Sequence, residues 1–205
     1  MMATTHALVG LALAALVAPF APEHAPLIAA AGLAGGVFPD LDLYAGHRRT
    51  LHFPVYFPLA AVAAAGVAVL APGAWTIGAA VFLAAAAAHS ASDALGGGLE
   101  LKPWEATSDR AVYSHFHGRW IRPRRLVRYD GAPEDVAVAA LVGVPAALAY
   151  GPLASGPAVQ RVVLAALGVS AGYAAVRKHL PALADRLLAA VPDDLRRHVP
   201  ERFVP

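Results

Sequence analysis

The sequence predicts an all-α fold: a polytopic membrane helix bundle of about six helices with a long, ordered inner loop. Three observations predict it. Of the 205 residues, 58% are hydrophobic and only 15% are charged, against about 25% charged in soluble domains. Mean hydropathy is +0.55. The apolar residues gather in six stretches, punctuated by Pro and Gly, which are the residues that end helices.

The stretches run over residues 7–20, 25–38, 53–70, 74–95, 136–150 and 158–176. A helix rises 1.5 Å per residue, so about 20 residues span the hydrocarbon core of a bilayer. The fourth and sixth stretches reach or approach that length. The first two have 14 residues each, and are expected either as thin spans or as a hairpin packed inside the bundle. Pro19, Pro22 and Pro26 mark the turn between them, Pro72-Gly73 ends the third, and Gly151-Pro152 and Gly156-Pro157 separate the fifth from the sixth. Thr5 is placed to cap the first helix. Gly96-Gly97-Gly98 reads as a C-cap and hinge after the fourth. Abundant Ala, Gly and Ser, including the run Ala84 to Ala88, suit close approach of helix backbones in lipid.

Fifteen of the 16 Lys and Arg residues fall in loop 39–52, in loop 96–135 or after residue 176, all on one side of a six-span arrangement; only Arg161 lies on the other. The positive-inside rule then puts both termini and these loops in the cytoplasm of a multi-pass cell-membrane protein. Residues 1–5 carry no positive charge, so no cleaved signal peptide is expected. The pI near 9.2 is read as this membrane-side bias, and no specific nucleic-acid partner is expected. Loop 96–135 carries Trp104, Tyr113, Phe116 and Trp120 among seven basic residues, which argues for order against lipid headgroups. The expected organisation is a bundle over 1–178 bearing the site and a charged, Pro-rich tail over 179–205, with a short amphipathic helix at 181–191.

Cysteine is absent. That excludes disulfides, thiolate metal sites and a Cys nucleophile. No Gly-rich phosphate loop follows a strand, and no Gly-x-Ser-x-Gly elbow occurs. What remains is His, Asp and Glu, which favour zinc, manganese or magnesium. His89 and Asp93 are four apart on one helix face. In a soluble helix they would often be a hydrogen-bonded couple; in a membrane helix, ionisable groups mark function. Pro39-Asp40-Leu41-Asp42 puts two carboxylates in a tight turn, where a bound cation relieves their repulsion. His47-Arg48-Arg49-Thr50-Leu51-His52 leads into the third helix and reads either as a basic inner loop or as ligand plus phosphate clamp. His6 opens the first helix at the same depth.

The expected metal ligands are therefore His6, Asp40, His52, His89 and Asp93. Asp42 is expected as ligand or general base. Arg48, Arg49 and Arg119 are candidates for contact with a substrate phosphate. His47, Glu100, His115 and His117 are further candidates, the last two through an x-His-x-His-x pattern that puts both imidazoles on one face of a strand. His24 falls on the opposite side.

These residues resemble the membrane-bound metal-dependent hydrolase family, YdjM-like and LexA-regulated. The resemblance is carried by Thr5-His6, Pro39 to Asp42, His47 to His52, His89 to Asp93 and Pro103-Trp104, and covers about residues 4–120. The family reads Leu-Thr-His-Ser where this chain has Thr50-Leu51-His52-Phe53. That family is in turn distantly similar to zinc-dependent phospholipase C and single-strand-specific nucleases. The resemblance implies a phosphoesterase with one to three divalent ions, zinc foremost, acting at the cytoplasmic membrane face on a phospholipid or other phosphoester, with membrane lipids as its surroundings. The alternatives are a metal-ion or small-solute transporter, whose site would lie near the bilayer midplane, and a non-catalytic membrane scaffold.

Overall fold

The computed structural model describes residues 1–192 and Leu195; the rest of the charged, Pro-rich tail lies outside the described residues. Of the described residues, 68% are helical. Its helices are α1 (Ala3–Val17), α2 (Ala25–Val37), α3 (Tyr56–Leu70), α4 (Ala74–Ser92), α5 (Pro133–Tyr150) and α6 (Gly156–Val176). A ten-residue α7 (Leu180–Ala189) continues α6 through one 3-10 turn. Pro and Gly set the boundaries. Pro26, Pro133 and Pro157 sit in the first turns of α2, α5 and α6, where a missing N–H costs nothing.

Among the described residues, four segments are long and apolar enough to cross a membrane: Ala3–Phe20, Ala74–Leu95, Pro133–Tyr150 and Gly156–Ala189. α2 and α3 are shorter, with 13 and 15 residues. α1 is central, touching α2, α4, α5 and α6, whereas α3 lies outside against α4 and buries none of its residues. Leu8, Leu11, Ile28, Val81, Val159 and Val163 form the apolar core with a cluster of alanines. The outward faces stay apolar: Leu59, Val62, Trp75, Leu141, Leu148 and Leu164 are each more than 60% exposed. A helix apolar on all sides belongs in lipid.

Glycines set the helix spacing in the first half. A Cβ on Gly10 would overlap the Gly32 carbonyl, and one on Gly32 would overlap the Gly10 carbonyl. A Cβ on Gly36 would overlap the carbonyl of His6, and one on Gly35 that of Phe82. α2 is thus pressed backbone to backbone against both α1 and α4.

One local expectation is corrected and another is met. Thr5 does not cap α1, which already begins at Ala3. Its hydroxyl instead donates to Asp135 Oδ1 at 2.7 Å, and Asp135 also accepts the Met2 N–H at 2.8 Å and the Gly131 N–H at 3.0 Å. The start of α5 therefore holds the start of α1. Gly96 does cap the 3-10 turn that follows α4, its N–H donating to Asp93 O at 3.2 Å, in an extended conformation with φ −84°. The glycines also admit a neighbouring backbone: Arg124 N–H donates to Ala94 O, Arg125 N–H to Gly96 O and Leu126 N–H to Leu95 O, and a Cβ on Gly97 would overlap Arg128 O.

The long loop is ordered, as expected. It contains an antiparallel hairpin, β1 (Val112–Ser114) and β2 (Arg119–Ile121), with Tyr113 opposite Trp120. The Tyr113 N–H donates to Arg48 O at 2.9 Å, which fastens the hairpin to the turn before α3. Because successive helices run in opposite directions, the start of α1, the end of α2, the approach to α3 and the end of α4 meet at one end of the bundle.

Candidate metal centre

Four elements converge on one buried point. Asp40 comes from the 3-10 turn Phe38–Asp42 that ends α2, His52 from the extended approach to α3, and His89 and Asp93 from the last turn of α4 and the 3-10 turn after it. One ligand atom from each of Asp40, His52, His89 and Asp93 lies within 4.8 Å of all the others. The individual separations are 3.2 Å for His52 Nε2 to His89 Nε2, 3.1 Å for His52 Nε2 to Asp93 Oδ2 and 3.5 Å for His89 Nε2 to Asp93 Oδ2. Asp40 Oδ1 is 3.4 Å from His89 Nε2 and 4.0 Å from His52 Nε2. Tetrahedral zinc with bonds of about 2.0–2.2 Å has ligand–ligand edges of about 3.4 Å. The donor set is therefore of the right size and of the right chemistry, two imidazoles and two carboxylates.

The hydrogen-bond inventory sharpens this. A neutral imidazole carries one N–H. His89 Nδ1 faces the Gly36 carbonyl at 2.6 Å, and a carbonyl only accepts, so the hydrogen is on Nδ1. His52 Nδ1 faces Asp42 Oδ2 at 3.0 Å and donates to it. Both Nε2 atoms then present bare lone pairs to each other and to the Asp93 carboxylate. Only a cation or added protons can sit comfortably among them.

Asp42 is not among the four. One of its oxygens takes His52 Nδ1 and the Leu51 N–H at 3.1 Å; the other takes His47 Nδ1 at 3.1 Å and the Arg48 N–H at 3.3 Å. It orients His52 from behind, the arrangement that fixes tautomer and ring plane in metal sites. Burial alone pushes its carboxyl up, but the hydrogen bonds from His47, His52 and Leu51 more than reverse this and hold it well below the ordinary carboxylate range. Burial likewise pushes Asp40 up, and its contact with His89 brings it below its ordinary value. For His52, burial lowers the imidazole but the Asp42 and Asp93 hydrogen bonds outweigh that and raise it.

His6 lies one step away. Its ring stacks on His89 with centroids 3.7 Å apart, and its Nε2 is 3.1 Å from Asp93 Oδ1, the oxygen turned away from the other imidazoles. Arg48 is 7% exposed. It has a left-handed φ of +59°, which a non-glycine residue adopts only where its surroundings enforce it. Its Nη1 donates to Gly97 O at 2.8 Å, and its Nε lies 3.4 Å from Asp93 Oδ2 without a formed hydrogen bond. Arg49, the next residue, turns outward onto the Tyr113 ring at 4.8 Å.

The hairpin holds His115 and His117 in its turn and not on a strand. His115 Nε2 donates to Arg49 O at 2.6 Å and His117 Nδ1 pairs with Ser114 Oγ at 2.9 Å, so neither joins the cluster. Arg119 is exposed on β2. His24 lies in the turn between α1 and α2, at the far end.

A cavity of about 640 Å³ opens from Asp40, His47 and Arg48. It runs between the first turn of α1, residues 98–101, the end of α6 and α7. Glu100 lines it, both carboxylate oxygens buried and without a hydrogen-bond partner. Its far wall is tied down by Arg177, whose Nε and Nη2 hold Asp130 at 2.8 and 3.1 Å; Tyr173 donates to the same carboxylate. Sequence reading missed this wall, because Arg177 and Asp130 are 47 residues apart and each reads as an ordinary loop charge.

Comparison with protein-family models, with curated proteins and with solved structures gives no match.

Proposed function

We propose that this protein is a membrane-embedded, divalent-metal-dependent hydrolase of phosphoesters that works at the cytoplasmic face. The observation that carries the reading is the set of imidazole lone pairs from His52 and His89 aimed at each other and at two carboxylates. A divalent ion such as zinc, held by Asp40, His52, His89 and Asp93, would supply Lewis acidity to water and to the phosphoryl oxygens. The chain's own groups suit the rest. Arg48 is a buried guanidinium that pairs with Asp93 and lines the cavity, where its charge would meet a phosphoryl oxyanion. Asp42 keeps His52 in one tautomer. His47, backed by the other Asp42 oxygen, lines the cavity beside Arg48.

Burial of the cluster at helix ends, beside an open cavity, fits chemistry at an interface better than a midplane transport site. The sidedness follows from the Arg and Lys bias of the loops, with both termini in the cytoplasm. The test is purified protein in nanodiscs, assayed for bound metal by mass spectrometry and for hydrolysis of bis(p-nitrophenyl) phosphate. His89→Ala is expected to lose the metal and the activity together. Unchanged metal content in that variant would remove the proposed site. Metal retained in wild type without hydrolysis, but with ion flux into liposomes, would assign a transporter instead.

A further inference from the structure

The cavity beside the centre exceeds what an ion and a phosphoryl group need. Its volume of about 640 Å³ lies in the range of sites that enclose whole small molecules, about 300–1,000 Å³. Its character changes along its length. Asp40, His47 and Arg48 stand at one end, while Leu43, Leu99, Leu101, Val169, Leu180 and Ala184 line the way toward α6 and α7. Of the carboxylates on this wall, Asp130 is held by Arg177 and Tyr173, and both Glu100 oxygens are buried and not exposed to the cavity. A nucleotide or sugar phosphate would set its hydroxyls and ring nitrogens against leucine and valine, where polar groups without partners are costly.

The outer side of this wall carries exposed leucines. α7 turns Pro181 inward and leaves Leu183 and Leu187 50% and 60% exposed, the pattern of a helix whose apolar side enters the headgroup and acyl boundary.

We infer that the substrate is an amphiphile. Its phosphoester head lies against Asp40 and Arg48, and its alkyl or acyl chain runs along Leu43, Leu99, Val169 and Ala184 toward the bilayer. This rests on the hydrolase reading above and names the substrate class of the same site. The reaction is a simple hydrolysis. The water oxygen bonds to phosphorus, the P–O bond to the leaving group breaks with its electron pair going to the departing oxygen, and the water proton passes to solvent. No oxidant or reductant takes part.

The experiment compares methyl and octyl p-nitrophenyl phosphate, both below the concentration at which micelles form, on the full chain in nanodiscs. Calorimetric titration with methylphosphonate and octylphosphonate runs beside it. The octyl ester is expected to exceed the methyl ester in kcat/KM by at least tenfold, and octylphosphonate to bind at least tenfold tighter than methylphosphonate. Ala184→Trp and Leu99→Trp, which fill the apolar end from two different elements, are each expected to cut both ratios at least fivefold. Partition of the octyl compounds into the bilayer would leave the ratios the same in both Trp variants, and that result overturns the proposal. Metal-dependent hydrolysis with an octyl-to-methyl ratio near one overturns it while leaving the hydrolase standing. Chain-dependent binding without hydrolysis of either ester supports the amphiphile site and removes the hydrolase.

Discussion

At the residue scale, the division of labour between Asp40 and Asp42 decides how the centre is built. The two stand two apart in one 3-10 turn, so one carboxylate faces the cluster and the other faces the 47–52 turn behind it. Asp42→Asn keeps the shape but weakens the acceptor that holds His52 in its metal-binding tautomer. It is expected to reduce metal affinity about 10–100-fold, read by chelator competition; wild-type affinity would mean that His52 is oriented by something else. The raised His52 imidazole gives a second expectation. In the metal-free protein its proton competes with the ion, so metal affinity should rise as the pH climbs through the raised His52 value. Stability of the metal-free protein should move the opposite way, since a raised imidazole contributes below its unfolded value and that contribution is lost as pH passes the folded one. Affinity titrations and thermal unfolding with chelator, each at pH 6 and pH 8, check both signs. His89 and Asp93 were legible from their spacing of four. The choice of Arg48 over Arg49 was not, because it depends on one left-handed φ, and adjacent arginines look alike in a sequence.

At the element scale, the apolar stretches and the Pro and Gly breaks placed all six longer helices to within a few residues. α1 and α5 begin earlier than expected because Met2, Thr5 and Asp135 lock their starts together. The hairpin was hidden for a different reason. The His-x-His segment looked extended, but it forms the turn, and the strands are the short flanks Val112–Ser114 and Arg119–Ile121. Close helix contact in the first half depends on glycine. Gly32→Ala or Gly10→Ala forces α1 and α2 apart, at a cost of about 1–3 kcal/mol or more. It should also lower metal occupancy, because α2 carries Asp40. Gly66→Ala, where nothing lies within 4 Å, should leave both unchanged. Thermal unfolding and metal content in detergent measure the contrast; equal effects of Gly32→Ala and Gly66→Ala would remove glycine packing as the cause.

At the scale of the whole molecule, membrane character was legible from composition alone, while the cavity was not, because it is assembled from residues as far apart as Leu43 and Ala184. The sidedness is open to direct measurement, since the chain has no cysteine. Ala154→Cys, in the α5–α6 turn, should react with an impermeant thiol reagent added outside intact cells. Asp109→Cys, in the long loop, should react only after permeabilisation; the reverse pattern would turn the site outward. Asp135, finally, has a consequence for how the protein is made. The four converging donors all precede residue 94, yet the first turn of α1, with His6, is pinned by a carboxylate 130 positions further on. A nascent chain that has made only its first four helices therefore carries all four donors but lacks the carboxylate clasp on the first turn of α1, so the start of α1, with His6, is expected to settle only once α5 has docked.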